Sequence, residues 1–87
     1  MIDGIDERVR EVVGSLGRLS VAVDAVGPAD DLYRLGMTST ATLNVMLALE
    51  EAFDIEFPEE LLERSIFESL STIGTAISGV LDQRRTA

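Results

Sequence analysis

Two prolines divide this chain into the stretches that can form helices. Apolar residues recur every three or four positions before Pro28, between the prolines and after Pro58, while the alternation typical of strands is weak. A proline ends or kinks a helix, and both prolines fall between the periodic stretches. The pattern therefore predicts the all-α class. A length of 87 residues suits one small core, so we expect residues 1–87 to form a single domain.

The first stretch predicts an amphipathic helix over roughly residues 3–18. Its apolar stripe consists of Ile5, Val9, Val12, Val13, Leu16 and Leu19. The segment over residues 20–38 lacks a sustained period and carries turn-forming glycine and proline, so we expect a long ordered connection there. Its expected anchors in the core are Leu32, Tyr33 and Leu35.

The second predicted helix has Thr38 or Ser39 as its N-cap and runs through Phe53. The helical line expected to face the core carries no charge and consists of Thr42, Val45, Leu49 and Phe53. The other side mixes apolar residues with carboxylates, namely Leu43, Met46, Leu47, Glu50, Glu51 and Asp54. An apolar patch that lies in solvent favours contact with a partner.

The stretch after Pro58 predicts one short and one long helix. The short helix covers about residues 59–64, and the long helix is capped by Ser69 or Ser71 and ends before the polar tail at 83–87. Their expected apolar contacts are Leu61 and Leu62, then Leu70, Ile73, Ile77, Val80 and Leu81. Together the three long helices and the short one should pack antiparallel around a core that contains Phe53, Phe57 and Phe67.

The charge of the chain restricts its partners. Sixteen carboxylates face seven arginines, without lysine or histidine, for a net charge of −9. Such a surface repels phosphate backbones and anionic lipids, so we expect neither nucleic acid nor a membrane as a partner, whereas basic proteins fit. The chain lacks cysteine, a targeting segment and an apolar run of membrane-spanning length, so the cytoplasm is the expected location.

Autonomous catalysis is disfavoured by the residue types present. Without histidine, cysteine or lysine the chain cannot build a Ser-His-Asp triad, a Cys-His pair or a lysine Schiff base. Carboxylate pairs such as Glu50/Glu51 and Glu59/Glu60 lie in solvated runs, which do not favour acid-base catalysis. The acidic residues also lack the spacing of a calcium-binding loop. We therefore predict no catalytic residues and no metal site.

Ser39 is the candidate attachment site for a phosphate-containing group. It follows Gly36-Met37-Thr38 at the predicted start of the second helix, where backbone N–H groups have no intrahelical acceptor. Those donors and the helix dipole would stabilise a phosphodiester on the Ser39 hydroxyl, and Gly36 would leave room for a modifying enzyme. The alternative interpretation is that Ser39 is only a helix cap, because serine is common at that position.

The segment Asp31–Pro58 resembles the acyl carrier protein family, and the resemblance extends more loosely into the first and last helices. It is carried by Gly36-Met37-Thr38-Ser39 and by Leu47-Ala-Leu-Glu-Glu-Ala-Phe-Asp-Ile-Glu-Phe-Pro58. The resemblance implies that Ser39 receives 4′-phosphopantetheine from coenzyme A, through a phosphopantetheinyl transferase. The terminal thiol of that arm would then carry an acyl or aminoacyl group as a thioester, which would explain how a chain without cysteine could handle thioesters.

The same resemblance assigns the second helix to partner recognition by basic enzymes. The residues that it implies for partner binding are Met46, Leu47, Glu50, Glu51, Asp54 and Glu56. The implied partners are the transferase, a ligase that activates an acyl group or an amino acid, and a downstream acyl transferase or synthase. Catalysis would belong to these partners, and the carrier itself would be a monomer.

Four residues depart from the pattern of this family. Thr38 replaces the usual aspartate and can still cap the helix, but it cannot supply a carboxylate near the metal of the transferase. Thr40 replaces the usual leucine, while Ala41 and Asn44 stand where carriers of fatty-acid synthesis show carboxylates. The start Gly-Met-Thr-Ser39 therefore looks more like stand-alone aminoacyl carrier proteins, which are charged by ligases related to seryl-tRNA synthetases.

Two other functions remain open at the level of the sequence. A noncovalent acidic helical adaptor or inhibitor would use Met46, Leu47 and the acidic residues but would not need Ser39. A small enzyme would have to turn over substrate without any thiol arm. The Ser39→Ala variant distinguishes an adaptor from a carrier, because an adaptor would still bind its partner and a carrier would lose its function.

Overall fold

Three α-helices form the framework of the computed structural model, which describes residues 3–86. They are α1 (Asp3–Leu16), α2 (Ser39–Phe53) and α3 (Leu70–Thr86), and the described residues contain no strand. Helix α1 packs against both α2 and α3. The all-α prediction is thus confirmed. Within the described range, no helix is long and apolar enough to cross a membrane.

The core is formed by apolar side chains from all three helices and from the segments between them. Its members are Ile5, Val9, Val13, Val26, Leu32, Met37, Ala41, Val45, Leu49, Ile55, Phe57, Phe67, Leu70, Ile73, Ala76, Ile77 and Val80. Phe57 and Phe67 meet edge to face, with ring centroids 5.6 Å apart. Phe53 is only half-buried and packs against this core from its margin.

Helix α1 ends two residues earlier than its apolar pattern predicts. The Gly17 N–H donates to the Val13 carbonyl at 2.8 Å, and Arg18 then adopts a left-handed φ of 57°, which turns the chain away from the helix. A Cβ on Gly17 would lie 2.6 Å from that same Val13 oxygen, so this close approach requires glycine. Leu19 consequently packs on the core from outside the helix.

The predicted ordered connection between α1 and α2 is confirmed. It contains a 3-10 turn at Val23–Ala25, and the Arg10 guanidinium donates to the carbonyls of Val23 and Val26 at 2.7 and 2.9 Å. The Leu32 N–H donates to the Glu68 carbonyl at 2.7 Å, which ties the connection to the segment before α3. Leu32 is fully buried, and Tyr33 and Leu35 pack against the core as expected.

The short helix predicted at about 59–64 is instead a pair of 3-10 turns, Glu59–Leu61 and Arg64–Phe67. Between them Leu62 leaves helical geometry with a φ of −92° and a ψ of 51°. As a result Leu61 packs against the core while Leu62 is 47% exposed, so the prediction that both leucines make core contacts is wrong for Leu62.

Helix α3 begins as predicted and ends later. Ser69 rather than Ser71 is its cap, because the Ser69 Oγ accepts from the Thr72 N–H and the Thr72 Oγ1 accepts from the Ser69 N–H, both at 3.1 Å. The helix continues to Thr86, through most of the predicted tail. Ala87, the last residue of that tail, lies outside the described residues.

Candidate functional site

The start of α2 is fixed by Thr38. Its Oγ1 accepts a hydrogen bond from the Ala41 N–H at 3.1 Å, and its carbonyl accepts from the Thr42 N–H at 2.8 Å. The expectation that threonine can still cap this helix is confirmed. Because Thr38 performs the capping, the interpretation of Ser39 as the N-cap does not hold, and Ser39 is the first residue inside the helix.

The turn before Thr38 holds the end of the helix in place. The Met37 N–H donates to the Leu32 carbonyl at 3.1 Å, and both side chains are buried in the core. Gly36 between them has a φ of +111°, a left-handed conformation that L side chains rarely adopt. Two buried anchors and one tight turn therefore position the N-terminus of α2, while Ser39 itself is exposed.

A surface groove of about 380 Å³ opens beside Ser39. It is lined by Tyr33, Ser39, Thr42, Leu43, Met46, Leu62, Glu63, Arg64 and Phe67. The lining comes from the first two turns of α2, from the segment between α2 and α3 and, through Tyr33, from the connection between α1 and α2. The groove is mostly apolar, with Glu63 and Arg64 as its charged members.

Tyr33 and Arg64 form one wall of this groove. The Arg64 guanidinium lies over the Tyr33 ring, 3.9 Å from its centroid, in cation–π geometry. The Tyr33 hydroxyl in turn donates to the Arg64 backbone carbonyl at 2.9 Å. The sequence pattern predicts Tyr33 only as a core anchor and gives no signal for Arg64. No spacing signal connects two residues 31 positions apart, so only the folded chain brings them together.

The outward side of α2 presents apolar side chains to solvent. Leu43 and Leu47 are 52% and 51% exposed, as the helical spacing predicted. Met46 differs, because it is half-buried, packs against the core and lines the groove beside Ser39. Among the residues implied for partner contact, Leu47 is thus apolar and largely free of the core, whereas Met46 also supports the fold.

The carboxylates implied for partner contact gather at the C-terminal end of α2. A shallow depression there is lined by Glu50, Glu51, Asp54 and Glu56, together with Ile55 and Val80. The structure therefore brings these four acidic residues to one place, which is separate from the groove that contains Ser39 and Met46. Leu47, which is exposed, lies in the sequence between Met46 of the groove and Glu50 of the acidic depression.

Glu50 has a second role that the sequence did not indicate. Its Oε2 accepts from the Phe57 N–H at 2.9 Å, and its carbonyl accepts from the Ile55 N–H at 3.0 Å. Asp54 closes the helix with a left-handed φ of 54°. Glu50 thus organises the turn after α2, while Glu51 and Glu56 are exposed.

The residues that depart from the carrier pattern fit this geometry. Ala41 is 1% exposed, so a carboxylate at that position would be buried, which is costly without a partner. Thr40 and Asn44 are exposed and present neutral polar groups on the first turns of α2. Within the described residues, no three carboxylates come together in an arrangement able to hold a metal ion.

The comparisons with known proteins agree with this architecture. Residues 7–77 match the family model described as a phosphopantetheine attachment site. An aminoacyl carrier protein from Agrobacterium fabrum is 40% identical over 79 residues, which cover 91% of this chain and 95% of that relative.

Two solved structures show the same fold in carrier proteins held by a ligase. A carrier protein from Agrobacterium tumefaciens, in complex with an engineered Bradyrhizobium japonicum glycine:[carrier protein] ligase and ATP, is 38% identical, with a TM-score of 0.84 over 87% of this chain and 99% of that one. A glycylated carrier protein in complex with the Bradyrhizobium japonicum ligase is 30% identical, with a TM-score of 0.74 over 85% and 99%. The chain therefore belongs to the phosphopantetheine attachment family, as a carrier protein similar to aminoacyl carrier proteins, and not to the enzymes that act on them.

Proposed function

We propose that this chain is an aminoacyl carrier protein whose 4′-phosphopantetheine arm is attached to the Oγ of Ser39. The observation that carries the proposal is the placement of Ser39, which is exposed on the first turn of α2 at the head of a groove. Residues 7–77 match the phosphopantetheine attachment family. The resemblance of the Gly36–Ser39 motif to carrier proteins supports Ser39 as the serine that would bear this group. The arm supplies a terminal thiol that holds the amino acid as a thioester.

The residues around Ser39 fit a phosphodiester on its hydroxyl. Thr38 performs the capping with its own side chain, so the Ser39 hydroxyl is not needed to begin the helix. The N–H groups of the first turn that lack an intrahelical acceptor, and the positive end of the helix dipole, favour an anion at this position. The buried Met37 and the turn at Gly36 keep the backbone around Ser39 fixed while its side chain stays accessible.

Attachment requires a phosphopantetheinyl transferase and coenzyme A. The Ser39 Oγ would form a bond to the phosphorus that bears the pantetheine, the pyrophosphate linkage of coenzyme A would break, and adenosine 3′,5′-bisphosphate would leave. The proton of the serine hydroxyl would pass to a base of the transferase. Thr38 cannot offer the carboxylate usual beside this serine, so we expect slower modification than for a carrier with aspartate there.

We propose that the outward side of α2 binds an amino acid:[carrier protein] ligase and the enzyme that removes the amino acid. Leu47 and Met46 would provide apolar contact, and Glu50, Glu51, Asp54 and Glu56 would pair with basic residues of these enzymes. Support comes from relatives of this chain that are bound to a glycine:[carrier protein] ligase. The net charge of −9 favours such basic partners.

We further propose that the chain acts as a one-domain monomer in the cytoplasm. Its core draws on all three helices, which supports a single folding unit. ATP-dependent charging would need the nucleotide pool of that compartment.

The first test is the intact mass of the protein after incubation with coenzyme A and a broad-specificity phosphopantetheinyl transferase. We expect a gain equal to one phosphopantetheine in the wild-type protein and none in Ser39→Ala. Thr40→Ala is the matched control, because Thr40 is an exposed hydroxyl one residue away and should leave the gain unchanged. If several transferases modify a reference carrier in the same tube but leave the wild-type chain unmodified, attachment at Ser39 is wrong.

The second test concerns the cargo. The modified protein is incubated with ATP, the Bradyrhizobium japonicum glycine:[carrier protein] ligase and single amino acids, and the mass is measured before and after treatment with hydroxylamine. We expect a gain of one small amino acid that hydroxylamine removes, as it does for a thioester, and no gain in the unmodified protein. A modified chain that accepts only fatty acyl groups, from an acyl-activating ligase, would contradict the aminoacyl proposal.

A further inference from the structure

The wall of the groove that is made by Tyr33 and Arg64 points to a function beyond the attachment of the arm. Tyr33 follows the buried Leu32, and its hydroxyl is bound to the Arg64 carbonyl at 2.9 Å. The guanidinium carbon Cζ lies over the ring, 3.9 Å from its centroid. A stacked guanidinium keeps its N–H donors along its edge, so it remains able to bind an anion while its plane is held.

The electrostatics make this position unusual in the molecule. The chain has a net charge of −9, yet among the described residues that line the groove beside Ser39 the one cation is Arg64. Among the described side chains, no carboxylate is found in a salt bridge with Arg64. The guanidinium is therefore positioned by an aromatic ring rather than neutralised by an acid.

We propose that Arg64, stacked on Tyr33, binds the phosphodiester that joins the arm to Ser39 and thereby directs the first part of the arm into the groove. This inference rests on the proposed attachment at Ser39. The phosphodiester is the part of the arm that must stay near Ser39, since it is bonded directly to Oγ, whereas the thiol lies at the far end of a long flexible chain. The groove therefore meets the anionic, Ser39-proximal end of the arm first.

The lining of the groove matches the chemistry that follows the phosphodiester. After the phosphodiester, the arm continues through a methylene group to a branched carbon that carries two methyl groups, which would meet the apolar side chains of Leu43 and Leu62. Leu62 was predicted to contact the core but is exposed. Contact with the arm would cover its side chain. Arg64 is thus inferred to act as a positioning residue for the arm, with catalysis left to the partner enzymes.

The inference is tested on the full chain after modification, with attachment verified by intact mass in every sample. Nuclear magnetic resonance follows the arm's phosphorus in the wild-type protein, Arg64→Gln, Arg64→Lys and Arg34→Gln. The Nε of Arg64 is followed in the wild type and Arg34→Gln, which keep this arginine. Arg34 is the matched control, because it is exposed, does not line the groove and changes the net charge by the same amount. Arg64 is itself exposed, and the Tyr33 hydroxyl bonds its backbone, so the substitutions should not unfold the domain.

In the wild-type protein we expect the Arg64 Nε resonance to shift when the arm is attached and phosphorus relaxation to report an ordered phosphodiester. Arg64→Gln should lower the docked population by a factor of roughly 2–5, the range expected for an exposed ion pair. Arg64→Lys should keep part of the effect, and Arg34→Gln all of it. Added sodium chloride should weaken docking in the wild type and have little effect in Arg64→Gln.

Equal phosphorus relaxation in modified wild type and modified Arg64→Gln would overturn the inference and leave attachment at Ser39 intact. An equal loss in Arg34→Gln and Arg64→Gln would also overturn it, because the effect would then be one of net charge. Absence of the arm from the wild-type protein would instead refute attachment at Ser39 and, with it, this inference.

Discussion

The two sides of α2 show how one helix can serve stability and recognition with the same residue type. Leu47 and Leu49 are two positions apart in the same helix, yet Leu47 is 51% exposed and Leu49 is fully buried. Positions i and i+2 point to nearly opposite sides of an α-helix, so chemically identical side chains face different environments. The apolar content of α2 therefore overstates what the helix contributes to the core, and the surplus lies on the proposed partner surface.

The largest expected effect separates these two sides directly. Leu49→Ala removes buried methyl groups and leaves a cavity, so we expect a loss of about 3 kcal/mol in the free energy of unfolding. For a domain of this size that loss lowers the thermal midpoint by roughly 15 °C. Leu47→Ala should change stability by less than about 0.5 kcal/mol, because its side chain is already in solvent.

Urea denaturation of both variants provides the measurement. The same proteins, after modification, can be charged by the ligase to compare apparent affinity. We expect Leu47→Ala to weaken charging while Leu49→Ala loses stability. A Leu47→Ala variant as unstable as Leu49→Ala would mean that the two sides of α2 do not differ in the way that the exposures indicate.

An intermediate effect is expected at the neighbouring carboxylates Glu50 and Glu51. The Glu50 Oε2 accepts from the Phe57 N–H at 2.9 Å, whereas Glu51 is exposed on the outward side. Loss of a hydrogen bond to a half-buried carboxylate costs about 1–2 kcal/mol, so Glu50→Ala should destabilise the domain by that amount. Glu51→Ala should stay within about 0.5 kcal/mol of the wild type.

Glu50→Gln sharpens the test, because its amide oxygen can still accept from the Phe57 N–H and should restore part of the loss. The measurement is the urea midpoint at constant salt. Equal stability of Glu50→Ala and Glu51→Ala would show that Glu50 belongs wholly to the outward surface and that its bond to the turn after α2 is not significant in solution.

Much of the fold follows from local sequence signals. The start of α2 was predictable because a capping threonine precedes a long apolar pattern, and Val45 and Leu49 were placed in the core correctly. Ala41 was missed as a core residue, because alanine adds little to an apolar pattern. Its burial depends on where the rest of the core packs against the first turn of α2, which no local signal gives.

The remaining differences have physical causes of the same kind. The adjacent residues Leu61 and Leu62 look equivalent in sequence, and only the 3-10 geometry decides that Leu61 faces inward. Helix α3 continues past Gln83 because glutamine and arginine are good helix formers and no glycine or proline follows. The polar composition of residues 83–87 led to the prediction of a non-helical tail. Polar residues without a glycine or proline do not by themselves end a helix.

The candidate site divides in a similar way. Ser39 was identified from its position in the motif and at the helix start, because both signals are local. The Tyr33–Arg64 wall was not, since it depends on the turns between α2 and α3 and on a contact across 31 positions. The residue proposed to bear the prosthetic group can thus be predicted from the sequence. The residues proposed to position its arm can be identified only in the folded structure.

The smallest expected effect concerns the acidic surface as a whole. The net charge is −9, and the exposed residues Glu51, Glu56, Glu59 and Glu60 lie close in sequence, from the end of α2 into the following turn. Their mutual repulsion acts over about 30 Å at 0.01 M salt and about 10 Å at 0.1 M. Relief of this repulsion by sodium chloride should raise the thermal midpoint by roughly 2–4 °C, equivalent to about 0.5 kcal/mol.

Thermal unfolding at the two salt concentrations distinguishes the two sides of α2 once more. The double substitution Glu59→Gln/Glu60→Gln should reduce the dependence on salt, because it removes repelling charges. Leu49→Ala should keep the dependence while its midpoint falls, since the buried side contributes apolar packing, which low salt concentrations change little. A midpoint that falls with added sodium chloride in the wild type would contradict net repulsion, and the acidic surface would then contribute to stability as well as to the recognition of basic enzymes.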